Sequence, residues 1–300
     1  MTLTLALLLD ALLGEPRWLW SRWPHPAVLM GRAVAWCDAR FNAGPNRQLK
    51  GLLTITMLAT ATGTLGLIIS ALPLGWLWSA LGAAILLAQR SLVQHVQAVA
   101  DALRYGLSSG RSSVAMIVGR DTAEMSESEI ARAAIESAAE NLSDGVVAPA
   151  FWFLALGLPG ILIYKTVNTA DSMIGHRTPR HEEFGKAAAI LDDILNWVPA
   201  RLTALLIALA HGAPRAWTIA RREAHLHRSP NAGWPEAAMA GVLNIALSGP
   251  RSYHGERQDF PFVNPTGRRS LGPADIDATA AALWRTWALM VALIFALALF

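Results

Sequence analysis

Five long apolar runs alternate with polar stretches along the 300-residue chain: Leu52–Leu72, Leu74–Val96, Val146–Val167, Val198–His211 and Leu283–Phe300. A hydrocarbon core ~30 Å thick takes roughly 20 apolar residues in helical form. The pattern therefore predicts an all-α, polytopic integral membrane protein with about five membrane-associated segments and a helical hairpin around Pro73. Polar stretches at 15–50, 97–145, 168–197 and 213–282 are long enough to form helical caps over those segments. No Ser/Gly linker, low-complexity tract or solenoid-length repeat interrupts the sequence, so residues 1–300 read as one integrated membrane domain. The apolar Leu3–Leu13 lacks a basic leader, is broken by Asp10 and runs into Gly14-Glu15-Pro16-Arg17 without a small-residue cleavage site. It reads as a short mature helix entering or lying on the membrane, not as a signal peptide.

Two local patterns refine this picture. Ser126 followed by Glu129 predicts a capping box opening a helix that runs to Asn141. On that helix Glu136 and Glu140 are four apart and share a face. By itself this spacing describes a solvated helix face, but Asn141, Asp144 and Gly145 follow at the mouth of an apolar run. Within that run Gly157-Leu158-Pro159-Gly160 removes a backbone donor and admits unusual dihedrals. A straight crossing would put Asp144 and Asp171 at opposite membrane faces. A re-entrant helix pair bending at Gly157–Gly160 would return them to one face, and broken backbone at depth is tolerated where protein buries it.

Composition agrees with the membrane reading: 53% of residues are hydrophobic and 16% charged, against about 25% charged in soluble domains. Mean hydropathy is +0.35. The net charge of +3 and pI near 9.4 come largely from Arg17–Lys50 and Arg215–Arg269, which favours the cytoplasmic side for those segments. No nucleic-acid partner is expected, since the basic residues are dispersed and form no known module. A single cysteine, Cys37, excludes an intramolecular disulfide and a cysteine metal site.

Acidic and amide residues embedded in apolar sequence are the candidate chemistry, because charge at bilayer depth costs several kcal/mol unless paired, hydrated or metal-bound. Three sets stand out: Glu140-Asn141 with Asp144; Asn168 with Asp171, three apart; and Asp192-Asp193 with Asn196. Their hard oxygens suit Mg²⁺ bridging carboxylates to substrate phosphates. Lys165, Arg177 and Arg201 supply cations for phosphate oxygens. Mutual pairing inside a helical bundle is the plainer alternative. The turn Ser229-Pro-Asn-Ala-Gly233, beside Arg228 and ahead of a helix starting near Pro235, could seat an anion or simply cap that helix. His225 and His227 are two apart, which does not suit a zinc pair on a helix. His25, between two prolines, reads as structural, and Arg120 either reaches a phosphate or pairs with Asp121. Neither a Walker loop nor a dinucleotide fingerprint is present.

Several of these stretches together resemble the adenosylcobinamide-phosphate synthases of cobalamin biosynthesis, in the same order from Asp10 to about Tyr253. They are Val118-Gly-Arg-Asp-Thr122, Glu136-Ser-Ala-Ala-Glu-Asn-Leu-Ser-Asp-Gly145, Tyr164-Lys-Thr-Val-Asn-Thr-Ala-Asp-Ser-Met173, Asp192-Asp193 with Pro199-Ala-Arg-Leu-Thr203, and Ser229-Pro-Asn-Ala-Gly-Trp-Pro-Glu-Ala-Ala238. The resemblance implies an inner-membrane enzyme of the cobyric acid to cobinamide step, with its site facing the cytoplasm. It implies ATP-dependent ligation of (R)-1-aminopropan-2-ol, or its O-phosphate, to the free propionate carboxylate of adenosylcobyric acid, with Mg²⁺ and ATP. It also leaves room for a complex with other enzymes of the pathway. On this basis Glu140, Asp144, Asp171 and Lys165 are the catalytic candidates, and Asp144, Asp171, Asp192 and Asp193 the Mg²⁺ ligands. Arg120, Asn141, Asn168, Ser172, Arg201, Ser229, Asn231 and Gly233 are the substrate- or phosphate-binding candidates. The chain departs from the family pattern at Glu15, where Asp is usual, at His176 for Tyr, and at Phe260-Pro261 for Lys-Pro. A Mg²⁺-dependent intramembrane transferase acting on an isoprenoid or lipid diphosphate is the alternative, and a non-enzymatic membrane sensor a third reading.

Overall fold

Backbone amides that meet no water must be satisfied inside their own segment, and an apolar run satisfies them by coiling into a helix. The computed structural model describes residues 1–253 and 255–299, so Phe300, the expected end of the last span, lies outside the described residues. Among the described residues the helices are α1 (Thr2–Leu13), α2 (Arg17–Trp20), α3 (Pro26–Phe41), α4 (Arg47–Ser70), α5 (Gly75–Leu86), α6 (Gln89–Tyr105) and α7 (Leu107–Val114). There follow α8 (Glu127–Leu142), α9 (Ala148–Ile174), α10 (Lys186–Ala210), α11 (Pro214–Glu223), α12 (Gly233–Leu243) and α13 (Pro273–Leu297). Among the described residues five helical stretches are long and apolar enough to cross a membrane: Arg47–Ser70, Gly75–Tyr105, Glu127–Ile174, Lys186–Ala210 and Pro273–Leu297. The protein is all-α and polytopic, as the hydrophobic pattern predicts.

Two departures from that pattern have local causes. The fourth span begins at Lys186, not Val198, because Asp192 and Asn196 bond to one another four residues apart instead of ending the helix. In place of a helical cap, residues 247–263 carry four short strands: β1 (Leu247–Ser248), β2 (Arg251–Tyr253), β3 (Glu256–Gln258) and β4 (Phe262–Val263). They pair antiparallel as β1 with β4 and β2 with β3. Gly249, Pro250, Gly255 and Pro261 divide this stretch into pieces too short for a helix.

Contacts divide the chain into two compact units, residues 1–88 with 144–197, and residues 89–143 with 198–299. In the first, α3, α4 and α5 pack on α9, and α1 packs on α5. Its core gathers Val34, Ile55, Val167, Ile174 and Phe184. The polypeptide of α9 doubles back at Gly157, whose φ of 69° and ψ of −153° break the helix just before Pro159. Two observations fix the reversal. A Cβ on Gly160 would lie 2.2 Å from the Trp152 carbonyl oxygen. The Tyr164 hydroxyl donates to the Asp144 carbonyl at 3.2 Å, across a sequence separation of 20 residues that a straight helix would stretch to ~30 Å. The expected hairpin at Gly157–Gly160 is thus present.

Helix α4 passes so close to this bend that a Cβ on Gly66 would stand 2.7 Å from the Pro159 backbone. Gly66→Val is therefore expected to destabilise the protein by about 1–3 kcal/mol through overpacking, read as a lowered thermal midpoint in detergent. Gly63→Ala, which meets only the Ile163 side chain, is expected to cost less.

In the second unit α8 opens on the expected capping box: the Ser126 amide donates to Glu129 Oε2 at 2.8 Å, and the Glu129 amide donates to Ser126 Oγ at 3.4 Å. Helix α8 is buried along most of its length and packs on α6, α12 and α13, while α11 packs on α12. At its end the chain enters a π-helical turn, Ser143–Val147, which carries Asp144 and Gly145. Such one-turn π elements recur at functional sites because they re-aim side chains that a regular helix would space evenly.

Candidate functional site

In the first unit the reversal of α9 and the length of α10 bring four polar positions together in apolar surroundings. Asp192 is 8% exposed. Its Oδ1 accepts from Asn168 Nδ2 at 3.2 Å and its Oδ2 from Asn196 Nδ2 at 3.0 Å. Asn196 Oδ1 in turn accepts from the Tyr164 hydroxyl at 2.9 Å. Helical spacing explains the set: Tyr164 and Asn168 are one turn apart on α9, as Asp192 and Asn196 are on α10. Each carboxylate oxygen thus has an amide donor, and the one that holds Oδ2 is itself fixed by a buried phenol. Donors on both oxygens hold the carboxylate in one orientation.

One cation and further carboxylates converge on the same place. Lys165, half-buried next to Tyr164, lies in the field of Asp144, Asp192 and Glu15. Asp171, two turns beyond Tyr164, places a second negative charge beside Asp192. The structure therefore brings Lys165, Asn168, Asp171, Asp192 and Asp144 into one neighbourhood. Glu15, where the resembled family has aspartate, adds its charge to the field at the same lysine. Ser172 is exposed and its hydroxyl donates to the Asn168 carbonyl at 2.9 Å. Asp193, one residue past Asp192, projects from α10 about 100° away.

Among the described residues no three His, Cys, Asp or Glu side chains converge so as to hold a metal ion by themselves. Mg²⁺ needs less than that, since it is usually bound through one or two carboxylates with substrate phosphates and water completing the shell. Asp171 and Asp192, flanked by the amide of Asn168, fit that smaller donor set.

The second unit holds the remaining candidates in two groups. Glu136, 2% exposed, is far from the solvated face its spacing with Glu140 suggested. It accepts from Arg120 and from Arg251 Nη1 (3.4 Å), and its other oxygen from the Ser248 amide at 2.6 Å. Glu140 follows one turn later. Asn141 is exposed, with its amide donating to the Ser137 carbonyl at 2.9 Å. Arg120 is thus paired with Glu136, while Asp121 accepts from the Gly255 amide at 2.7 Å.

The second group is the turn before α12. Ser229 Oγ accepts from the amides of Asn231 (3.2 Å) and Ala232 (3.3 Å), so the hydroxyl caps this turn from within. Arg201 donates to Asn231 Oδ1 at 3.1 Å and lies 4.8 Å over the Trp234 ring. Gly233 is required by space, since a Cβ there would stand 2.1 Å from the Ala224 carbonyl oxygen. Arg201, Ser229, Asn231 and Gly233 therefore form one structure. His25 is pinned by the Ala27 amide on Nδ1 (3.2 Å) and the Ile85 carbonyl at Nε2 (3.0 Å).

The sequence assigned no role to a buried acid, Glu236, or to His227 beside it. Glu236 is 2% exposed, and its Oε2 has no hydrogen-bond partner among the described residues. Burial, with the charges of Glu136 and Glu140, pushes its carboxyl well above the usual range. Its Oε1 faces His227 Nε2 at 3.6 Å. His227 accepts the Ser229 amide at Nδ1 (3.0 Å), and burial lowers its pKa, so a neutral ring carries its proton on Nε2, on the side of Glu236. A raised carboxyl pKa means that the folded protein binds the more protons, so stability falls as pH rises above the unfolded value near 4.5. Glu236→Gln keeps the shape and cannot ionise. It is expected to leave the thermal midpoint unchanged near pH 4.5 and to raise it at pH 7 to 8 relative to the parent. An equal midpoint at both pH values would sink this assignment.

Comparison with known proteins bears on the whole chain. The profile of the family described as CobD/Cbib protein matches residues 3–283. "Cobalamin biosynthesis protein CobD" of Brucella suis biovar 1 is 51% identical, covering 99% of this chain and 96% of its own length. The protein of the same name from Rhizobium meliloti is 47% identical over 96% of this chain and 93% of its own. That from Rhodobacter capsulatus is 46% identical over 94% and 92%. No solved structure matches.

Proposed function

Because the chain belongs to the CobD/Cbib family, we propose that it is a cobalamin-biosynthesis enzyme that forms an amide bond on a corrinoid at the expense of ATP. The carboxylate substrate is the free propionate of adenosylcobyric acid, and the amine is (R)-1-aminopropan-2-ol or its O-phosphate. The protein sits in the inner membrane as a multi-pass enzyme with its site toward the cytoplasm. The observation that carries the chemistry is the Lys165–Asp192 neighbourhood: a half-buried ammonium among carboxylates, with Asp192 oriented by Asn168 and Asn196.

Amide formation from a carboxylate requires that an oxygen be converted into a phosphate leaving group before the amine attacks. Positioning and charge stabilisation dominate both steps. Asp171 and Asp192 would hold Mg²⁺, which when bound supplies neutralisation of phosphate charge. Lys165 offsets negative charge on the transferring phosphate and shields it from Asp144 and Glu15. Tyr164 and Asn196 keep Asp192 in one rotamer, and the surrounding apolar helices exclude water that would hydrolyse an activated acyl group. In the second unit Arg201, Ser229, Asn231 and Gly233 are candidates for seating the phosphate of the amine substrate or the nucleotide, as is Arg120. Glu140 and Asp144 remain the candidates for taking the proton that the amine loses.

The test is a mass-spectrometric assay of the purified, detergent-solubilised protein with adenosylcobyric acid, aminopropanol phosphate, Mg²⁺ and ATP. Adenosylcobinamide phosphate that forms only with ATP supports the reading. Well-folded protein that makes none, yet converts a prenyl diphosphate, would replace it with the intramembrane transferase.

A further inference from the structure

A cavity of about 670 Å³ opens in the second unit between the Arg120–Met125 segment and the β2–β3 hairpin. Its walls are tied together. The Asp121 amide donates to the Ser252 carbonyl at 3.1 Å, and Asp121 Oδ2 accepts from the Gly255 amide at 2.7 Å. Four arginines line it: Arg120, Arg132, Arg251 and Arg257. The side chains of Arg120 and Arg251 are 10% and 9% exposed, so they form a floor and not a solvated rim.

That floor carries more positive charge than its own partner balances. Arg120 and Arg251 share one carboxylate, Glu136, while Arg132 stands close enough to repel both. Arg251 Nη2 donates to Ser248 Oγ at 2.8 Å, and its buried Nε has no partner among the described residues. Arg132 is braced by the carbonyls of Ala246 (3.3 Å) and Arg269 (3.0 Å). Three acidic residues also line the cavity. Asp121 accepts from the Gly255 amide, Glu129 is bonded to the Ser126 amide and hydroxyl and lies in the field of Arg132 and Arg257, and Arg257 stands 3.8 Å from Asp259 at the surface. Guanidinium groups arriving from α8, the Arg120 segment and both strands of a hairpin suit a multi-oxygen anion, since each fork can take two oxygens. The volume far exceeds one inorganic phosphate and lies in the range of sites for whole small molecules.

We propose that this cavity binds the phosphate group or phosphate chain of a small-molecule ligand, with Arg120, Arg132, Arg251 and Arg257 as its donors. It deepens the functional reading above and rests on it only for the phosphate chemistry. Arg120 was the one member of this set that the sequence brought forward.

The test is equilibrium binding of pyrophosphate to the intact detergent-solubilised protein in EDTA, with ATP and inorganic phosphate as competitors. Saturable binding is expected, weakened at least tenfold in Arg257→Gln and in Arg251→Lys, which keeps the charge but loses the fork. Arg215→Gln, an exposed change outside the cavity, is expected to bind as the parent does. Competition by ATP alone identifies a polyphosphate chain, and competition by inorganic phosphate as well identifies a phosphate monoester. Absent saturable binding, or equal binding by the Arg257→Gln and Arg251→Lys proteins, overturns the inference. Ligation measured on the same preparations separates the two claims: product formation with no such binding removes the cavity assignment alone, and binding with no product removes the reaction alone.

Discussion

Asp192→Asn is expected to lower amide formation by about 10³-fold while leaving the protein folded. The substitution preserves volume but removes the carboxylate that Asn168 and Asn196 orient, one of the two that suit Mg²⁺. Loss of one preorganised electrostatic contact typically costs about 10²–10³ in rate, and loss of a metal ligand adds to that. The new amide must also turn its NH₂ toward an asparagine donor, leaving a buried group unsatisfied at a cost of about 1–3 kcal/mol. The thermal midpoint should therefore fall moderately while turnover collapses. Turnover within threefold of the parent would remove Asp192 from the site.

Glu136→Ala is expected to be the most damaging single change to stability. It leaves Arg120 and Arg251 without the carboxylate between them, and the Ser248 amide without its acceptor. Breaking a buried ion pair from one side costs about 3–5 kcal/mol, because the remaining charge is uncompensated. Glu136→Gln should lose less, since its amide oxygen still accepts from Ser248. Thermal unfolding in detergent checks both, and the account fails if the alanine protein melts with the parent.

How far the sequence could be read depends on the range of the forces involved. Helical spans are local, so apolar run length located five of them, and the Ser126–Glu129 box placed the start of α8 to the residue. The hairpin in α9 was also legible, because Gly157 and Pro159 write the break into the chain. By contrast, α10 begins well before Val198, since a residue four positions away satisfies Asp192 and hydropathy does not register such a pair. The short strands between Leu247 and Val263 depend on cross-chain pairing that no periodicity announces.

The same distinction runs through the candidate residues. Lys165, Asn168, Asp171 and Asp192 were visible because polar groups in apolar sequence are expensive. Asn196 was visible for the same reason, whereas Tyr164, which fixes it, stood in a quoted motif but looked like an ordinary helix position. Arg251 gave no signal, being a lone arginine in a short strand, and Glu236, although inside the Ser229–Ala238 stretch, reads as an ordinary first-turn glutamate at a helix N-terminus. Only tertiary contact shows the arginine reaching Glu136 and the glutamate buried beside His227.

The central claim, ATP-driven activation of a carboxylate for amide formation, is tested most directly with adenosylcobyric acid carrying ¹⁸O in its free propionate. The account predicts that one labelled oxygen per amide appears in the phosphate released from ATP, or in AMP if the carboxylate is adenylylated. Amide product accompanied by label in neither would contradict it.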